Sequence, residues 1–180
     1  MWIESAGTGG SVHRRVGGGV LAVLGALCLG LVPAVPASAA ELTIRLCGMA
    51  NRTGNLSIAV FSQAHAVEFT EPLSRAFSAS VTLRLADAAP DAVLPLTIPL
   101  PPGKYAVRVI HDENANDILD RGGLVGLPKE SYGYSRNARA RVAAVQFDDA
   151  AVTLGSEPLT IDVRIAPWSL TGGDDSPCPP

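Results

Sequence analysis

PPGKYAVRVIH, residues 101–111, is the stretch whose reading decides the fold. Pro101, Pro102 and Gly103 make a turn, since proline fixes its own backbone angle and glycine accepts conformations closed to other residues. After the turn, Tyr105, Val107 and Val109 alternate with Ala106, Arg108 and Ile110. That period of two is the signature of a pleated strand with two distinct faces. The same pattern recurs on both sides. ELTIRLC (41–47), LSIAVFS (56–62), SVTLRLA (80–86), AVLPLTIPL (92–100), AAVTLG (150–155) and LTIDVRIA (159–166) are short apolar or alternating runs separated by turn residues. Pro95 and Pro99 place the 92–100 run at a sheet edge, where a missing N–H is tolerated. Asn51 to Asn55 read as the loop of a hairpin between the first two strands. Residues 63–79 lose the alternation and are expected to hold a short helix or an irregular crossing, kept short by Pro72. About seven short strands predict an all-β protein, an Ig-like antiparallel β-sandwich with one long loop-rich insertion.

The strand at 101–111 runs straight into the most polar segment of the chain, DENANDILD (112–120). Side-chain oxygens of Asp112, Asn114, Asn116 and Asp120 fall at relative positions 1, 3, 5 and 9, and the backbone carbonyl of Ile118 at position 7. A tightly wound chain with oxygens at that spacing suits a hard cation such as calcium. Two positions depart from such a loop: Asp117 stands where the sharp turn favours Gly, and Gly123 where a bidentate Glu closes the shell. Glu130 is the acid that would have to reach in. The competing reading needs no metal, because Asn and Asp also bond their own backbone two residues on and so build turns. A metal that prefers imidazole would find only His111 and His65, with no Cys nearby. A catalytic reading would make His111 a base oriented by Asp112. Neighbours on a strand point to opposite faces, so those two side chains do not naturally pair, and no nucleophile elbow, phosphate-binding Gly loop or HExxH motif accompanies them. The expectation is a protein that is not an enzyme.

The insertion continues through GLVGLPKESYGYSRNARARVAAVQFDDA (123–150), too long for an ordinary connection in one domain. Tyr132 and Tyr134 flank Gly133, with Lys129, Arg136, Arg139 and Arg141 around them. Aromatic faces and cations suit a small-molecule or glycan ligand held by His111, Lys129, Tyr132, Tyr134 and Arg136. The alternative is that the aromatics pack the loop onto the sheet and the Arg side chains are solvated. Phe147 to Ala150 read as the lead-in to the next strand.

The N-terminus reads as a signal peptide over 1–39. Arg14 and Arg15 precede the apolar run VGGGVLAVLGALCLGLV (16–32), Pro33 and Pro36 break it, and Ala37-Ser38-Ala39 offers the small residues a signal peptidase reads. The run contains five Gly and no basic cluster follows, which argues against a retained membrane anchor. Leu27 stands before Cys28 in a place where a lipoprotein signal wants a small residue. The remaining chain, about 140 residues, is enough for one domain: a β-sandwich over 40–168 and a flexible tail over 169–180. The whole sequence has 14 Lys+Arg and 17 Asp+Glu, a net charge of −3, and loses Arg14, Arg15 and Glu4 with the leader. No basic stripe marks a nucleic-acid surface, and no transmembrane segment remains after signal cleavage. A protein, a glycan or a small molecule is left as the partner. Cys47 and Cys178 then form an even pair in an oxidising compartment, periplasmic or extracellular, and are a candidate disulfide.

Four pieces in order, GNLSIAVFS (54–62), LPPGKYAVRVIHDENANDILD (100–120), GLPKESYGYSRNA (126–138) and VQFDDAAVTL (145–154), resemble an uncharacterised secreted bacterial family, domain of unknown function 2141. The resemblance covers about 100 positions; Asp117 departs from it, because the family pattern usually has Gly there. It implies export and no established activity. The Gly-x-Tyr strand is similar to the repeat unit of transthyretin-like and carboxypeptidase-regulatory-like β-sandwiches, which implies the same fold and adds no mechanism.

Overall fold

The computed structural model describes residues 39–71, 74, 76–87, 93–124, 126–140, 143–169 and 176–180. The signal peptide up to Ser38, Pro72 and Arg141 lie outside the described residues. In chain order the strands are β1 (Ala40–Cys47), β2 (Asn55–Ser62), β3 (Ala79–Arg84), β4 (Leu94–Leu100), β5 (Gly103–Asp112), β6 (Arg121–Gly122), β7 (Leu127–Pro128), β8 (Tyr132–Tyr134), β9 (Val152–Leu154) and β10 (Leu159–Arg164). The seven expected runs are β1 to β5, β9 and β10; β6, β7 and β8 are short strands inside the insertion.

Two sheets share one core. The first has the order β10-β1-β4, and the second β3-β2-β5-β8, with β9 also pairing β5. Leu42, Ile44 and Leu46 of β1 meet Leu56, Ile58 and Val60 of β2 and Tyr105, Val107 and Val109 of β5 across that core, joined by Val163 and Ile165. These are the alternating sets read from the sequence, so period two becomes one shared apolar layer. All pairings but one are antiparallel; β1 and β10 run parallel, with Leu42 opposite Leu159 and Leu46 opposite Val163. β4 is an edge strand, as its two prolines require.

The connection after β1 differs from the expected hairpin. β1 and β2 lie in different sheets, so residues 48–54 carry the chain across the sandwich. The physical reason is that the apolar faces of the two strands need burial against each other, face to face, rather than side by side. Residues 63–65 and 68–70 form two 3-10 turns in the irregular crossing. Residues 147–150 form one helical turn, α1 (Phe147–Ala150), started by the Gln146 N–H donating to the Asp149 carboxylate.

The second sheet is covered on its outer face as well. Ala106 of β5 and Phe61 of β2 pack under Phe69, Val145, Phe147 and Ala150 in a second apolar cluster. Phe69 stands edge-on to Phe61 at 5.4 Å and to Phe147 at 6.1 Å. The insertion therefore lies over one half of the sheet. Along the edge of β5, β8 pairs with Arg108–Ile110 and β9 with Gly103–Tyr105. Ser135 bridges the gap: its Oγ accepts the Val107 N–H at 2.8 Å and donates to the Ala150 carbonyl.

Cys47 and Cys178 form a disulfide with Cα atoms 5.8 Å apart. The tail expected to be free from Ser169 onward is tied down at its end. Arg164 donates to the Ser176 and Pro177 carbonyls, the Cys178 N–H donates to Asp162 at 3.0 Å, and Cys178 is buried. Residues 170–175 lie outside the described residues. Among the described residues no helix is long and apolar enough to cross a membrane.

Candidate functional site: a polar loop and a cleft on the outer face

β5 ends in His111 and Asp112, both fully buried and on opposite faces of the strand. His111 Nε2 lies 3.0 Å from the Thr53 carbonyl, so Nε2 carries the proton and the ring anchors the segment after β1. Its Nδ1 has no hydrogen-bond partner and stands 3.9 Å from Glu113 Oε1. His111 shares the inner side with Val107 and Val109, away from Asp112. Gly54 sits beside this junction at positive φ, and a Cβ there would meet the Asp112 carbonyl at 2.0 Å, which accounts for the glycine.

Asp112 organises the loop that follows. Its two oxygens accept the N–H groups of Asn116 at 3.0 Å and Asp117 at 2.7 Å. Asn114 and Asn116 accept the N–H two residues on, from Asn116 and Ile118, the turn-forming bond that Asn favours. Their amide groups donate to the two oxygens of Asp120, at 2.8 and 3.2 Å. Glu130 closes the loop from outside, accepting the N–H of Glu113 at 3.2 Å and of Asp120 at 3.0 Å. Asp117 and Ala115 have positive φ, which Asp tolerates and Ala does not favour. The loop thus brings Asp112, Asn114, Asn116 and Asp120 together, with Ile118 on its exposed outer turn. In this arrangement every one of those side-chain oxygens already meets an N–H of the loop. Among the described residues no three His, Cys, Asp or Glu side chains form a metal-holding group.

The tyrosines face a different place. Tyr134 lies opposite Arg108 and Tyr132 opposite Ile110 in the β5–β8 pairing, so all four point to the outer face. Gly133 between them points inward, where a Cβ would come within 2.6 Å of the Arg164 carbonyl. The four side chains floor a cleft of about 230 Å³. Its walls are Leu119 and the β6–β7 hairpin on one side, Thr70 and Ala140, Ala143 and Ala144 on another, and Trp168 after β10. Arg121 of β6 lines it and donates to the Gly126 carbonyl, bracing the hairpin. A second hollow of about 310 Å³ shares Arg108 and Ile110 and is otherwise lined by Ser57, Ser80, Thr82 and Asp117 among others.

Of the ligand set expected from sequence, Tyr132 and Tyr134 line the cleft; His111, Lys129 and Arg136 do not. His111 lies on the inner side, Lys129 and Arg136 are exposed, and Arg136 reaches toward the Asp148 carbonyl at 3.5 Å. Arg139 ties β8 to β10 by donating to the Tyr132 and Arg164 carbonyls. Sequence reasoning missed Arg108 and Arg121. The signal for Arg108 was present, since it is a charge on the half of a central strand that alternates with Val107 and Val109. Burial holds the Arg108 pKa below its ordinary value, though a guanidinium stays charged at neutral pH. Burial also raises both phenols, which the guanidinium groups of Arg108 and Arg121 oppose at Tyr134, and those of Arg139 and Arg121 at Tyr132.

Residues 44–162 match the model of a protein family described as DUF2141, uncharacterized protein conserved in bacteria. No curated protein and no solved structure matches the chain.

Proposed function

This chain belongs to DUF2141, a family of uncharacterised proteins conserved in bacteria, and we propose that it works as an exported, non-enzymatic module that binds a small molecule. The observation that carries this reading is the cleft floored by Tyr132, Tyr134, Ile110 and Arg108. It is concave, walled largely by apolar side chains and furnished with a few convergent polar groups, the composition of ligand sites in general. Its volume of about 230 Å³ is below the range for drug-sized ligands, which argues for a small organic molecule over an extended glycan. A role without catalysis is supported by the placement of His111, fully buried against a carbonyl and facing away from Asp112. Export is supported by the disulfide and by the leader-like N-terminal sequence.

Ligand-observed NMR with a fragment library tests the reading. Fragments that bind the native protein should lose binding in Ala143→Trp, which fills the cleft from an exposed wall position. Fragments that bind both proteins equally would remove the cleft as the site.

A second reading, calcium at the 112–120 loop, is supported by one observation: Glu130 reaches back to the loop, its two oxygens accepting the N–H groups of Glu113 and Asp120, although among the described residues no three carboxylates are gathered into a metal-holding group. A cation would draw Asp120 and the Asn side-chain oxygens from their present bonds while leaving the turn in place. Calorimetric titration of calcium, with melting temperature recorded at millimolar ion, checks it. Absence of heat together with an unchanged melting temperature would leave the loop as a hydrogen-bonded scaffold only.

A further inference from the structure

Among the described residues the outer-face cleft presents donors with no carboxylate to receive them. Arg108 is buried, with 8% of its surface exposed, yet among the described residues no Asp or Glu forms an ion pair with it. What holds it is two carbonyls, Phe69 at 3.1 Å and Glu71 at 2.9 Å, both bonded to one nitrogen, Nη1, and the face of Phe61 at 4.8 Å. Carbonyl dipoles and an aromatic face compensate a cation only in part, and a buried charge is ordinarily matched by an opposite one. Arg121 adds a second guanidinium to the same cleft. Neither the Tyr132 nor the Tyr134 hydroxyl has a hydrogen-bond partner among the described residues, although Tyr132 is nearly buried. Among the described residues the cleft lining contains two Arg and no Asp or Glu, in a protein whose net charge is negative. Asp117 faces the neighbouring hollow and is exposed. Apart from Thr70, the rest of the described lining, Leu119, Leu127, Pro128 and Trp168 among it, is apolar.

We propose that the cleft takes an amphipathic organic oxyanion, its carboxylate or phosphate head on Arg108 and Arg121 with the tyrosine hydroxyls donating, and its hydrocarbon part against Leu119, Pro128 and Trp168. This deepens the small-molecule reading above and rests on it. Guanidinium groups donate in a planar fork that matches an oxyanion. The aromatic rings and the β6–β7 hairpin remove water from around the pair, which strengthens it.

Trp168 is a built-in reporter. The chain has two Trp, at positions 2 and 168, so Trp2→Phe leaves a single indole at the cleft. The experiment is fluorescence titration of full-length Trp2→Phe protein with hexanoate, hexyl phosphate and hexanol, which share a tail and differ in the head. The expected result is a saturable change in Trp168 emission with one or both anions, at an affinity more than about tenfold above that for hexanol. Which anion binds more tightly names the head group. Arg108→Met should erase the preference for the anion, and Arg121→Gln, at an exposed position, should reduce it. Equal binding of hexanol and the anions, or a preference unaffected by Arg121→Gln in a folded protein, would overturn the assignment of an anion while leaving the cleft as a binding site. Failure of the anions in a protein whose fragment hits are blocked by Ala143→Trp would overturn it in the same way. Loss of the Ala143→Trp effect itself would instead bring down the underlying reading.

Discussion

Glu130 binds its proton more tightly in the folded protein than an ordinary carboxyl does. Burial raises its pKa above 4.5; the N–H groups of Asp120 and Glu113 pull it down, and the charges of Asp112 and Asp120 push it up. The folded state therefore takes up the proton at higher pH than the unfolded chain. The contribution of Glu130 to stability is lowest where the group is ionised, above its folded pKa, and rises as pH falls through that pKa toward 4.5. Urea unfolding of native protein and Glu130→Gln should show the native protein gaining on the variant between about pH 7 and about pH 5. A gap that moves the other way would mean a bound cation, because a dication favours the ionised carboxylate. The sequence made Asp112, Asn114, Asn116 and Asp120 legible as a loop because their spacing is local. Glu130 was only a candidate, since its approach depends on how the β6–β7 hairpin folds back. His111 was readable as a strand-end residue, but its carbonyl partner, Thr53, is distant in sequence and no local pattern marks it.

At the scale of elements, β5 is the hinge of the whole arrangement. It supplies the inner face with Tyr105, Val107 and Val109, the outer face with Ala106, Arg108 and Ile110, and the loop with Asp112. Its edge is completed by two strands and one side chain, Ser135. Ser135→Ala would leave the Val107 N–H and the Ala150 carbonyl without partners in a buried place. The expected cost is about 1–3 kcal/mol per stranded group at most, measured by chemical denaturation, with faster amide exchange at Val107. An unchanged stability would show that β8 and β9 hold the edge without it. The strands themselves were legible because alternation is a short-range signal. The separation of β1 and β2 into different sheets was not, since the turn residues 51–55 serve a hairpin and a cross-sandwich connection equally well. Tyr132 and Tyr134 could be read either as packing or as binding groups, and the fold packs them against each other while leaving both at the cleft. Tyr134 lies at a tilt to Phe69 at 5.4 Å, and the Tyr132 and Tyr134 side chains line the cleft.

At the scale of the molecule, the two sheets are closed by a core and by a covalent tie between the first strand and the C-terminal end. The disulfide spans 131 residues of sequence. A loop of that length is worth about 5 kcal/mol in the chain-entropy model, and removing native bridges from small exported domains typically costs about 2–5 kcal/mol. Cys47→Ser with Cys178→Ser should lower the urea midpoint accordingly, and reductant should do the same to the native protein. An unaltered midpoint would place the tie outside the cooperative unit. Cysteine arithmetic allowed the bridge; the charged and proline-rich tail gave no packing reason for it, because its anchors, Asp162 and Arg164, come from another strand. The central claim concerns the outer face, where sheet, insertion and the residue after the last strand meet around one cleft. Amide chemical-shift mapping of the protein titrated with hexanoate tests it most directly. Saturable shifts are expected at residues 108–110, 119–124, 126–128, 132–134, 140, 143, 144 and 168. Shifts scattered over the surface, or none at millimolar ligand, would contradict it.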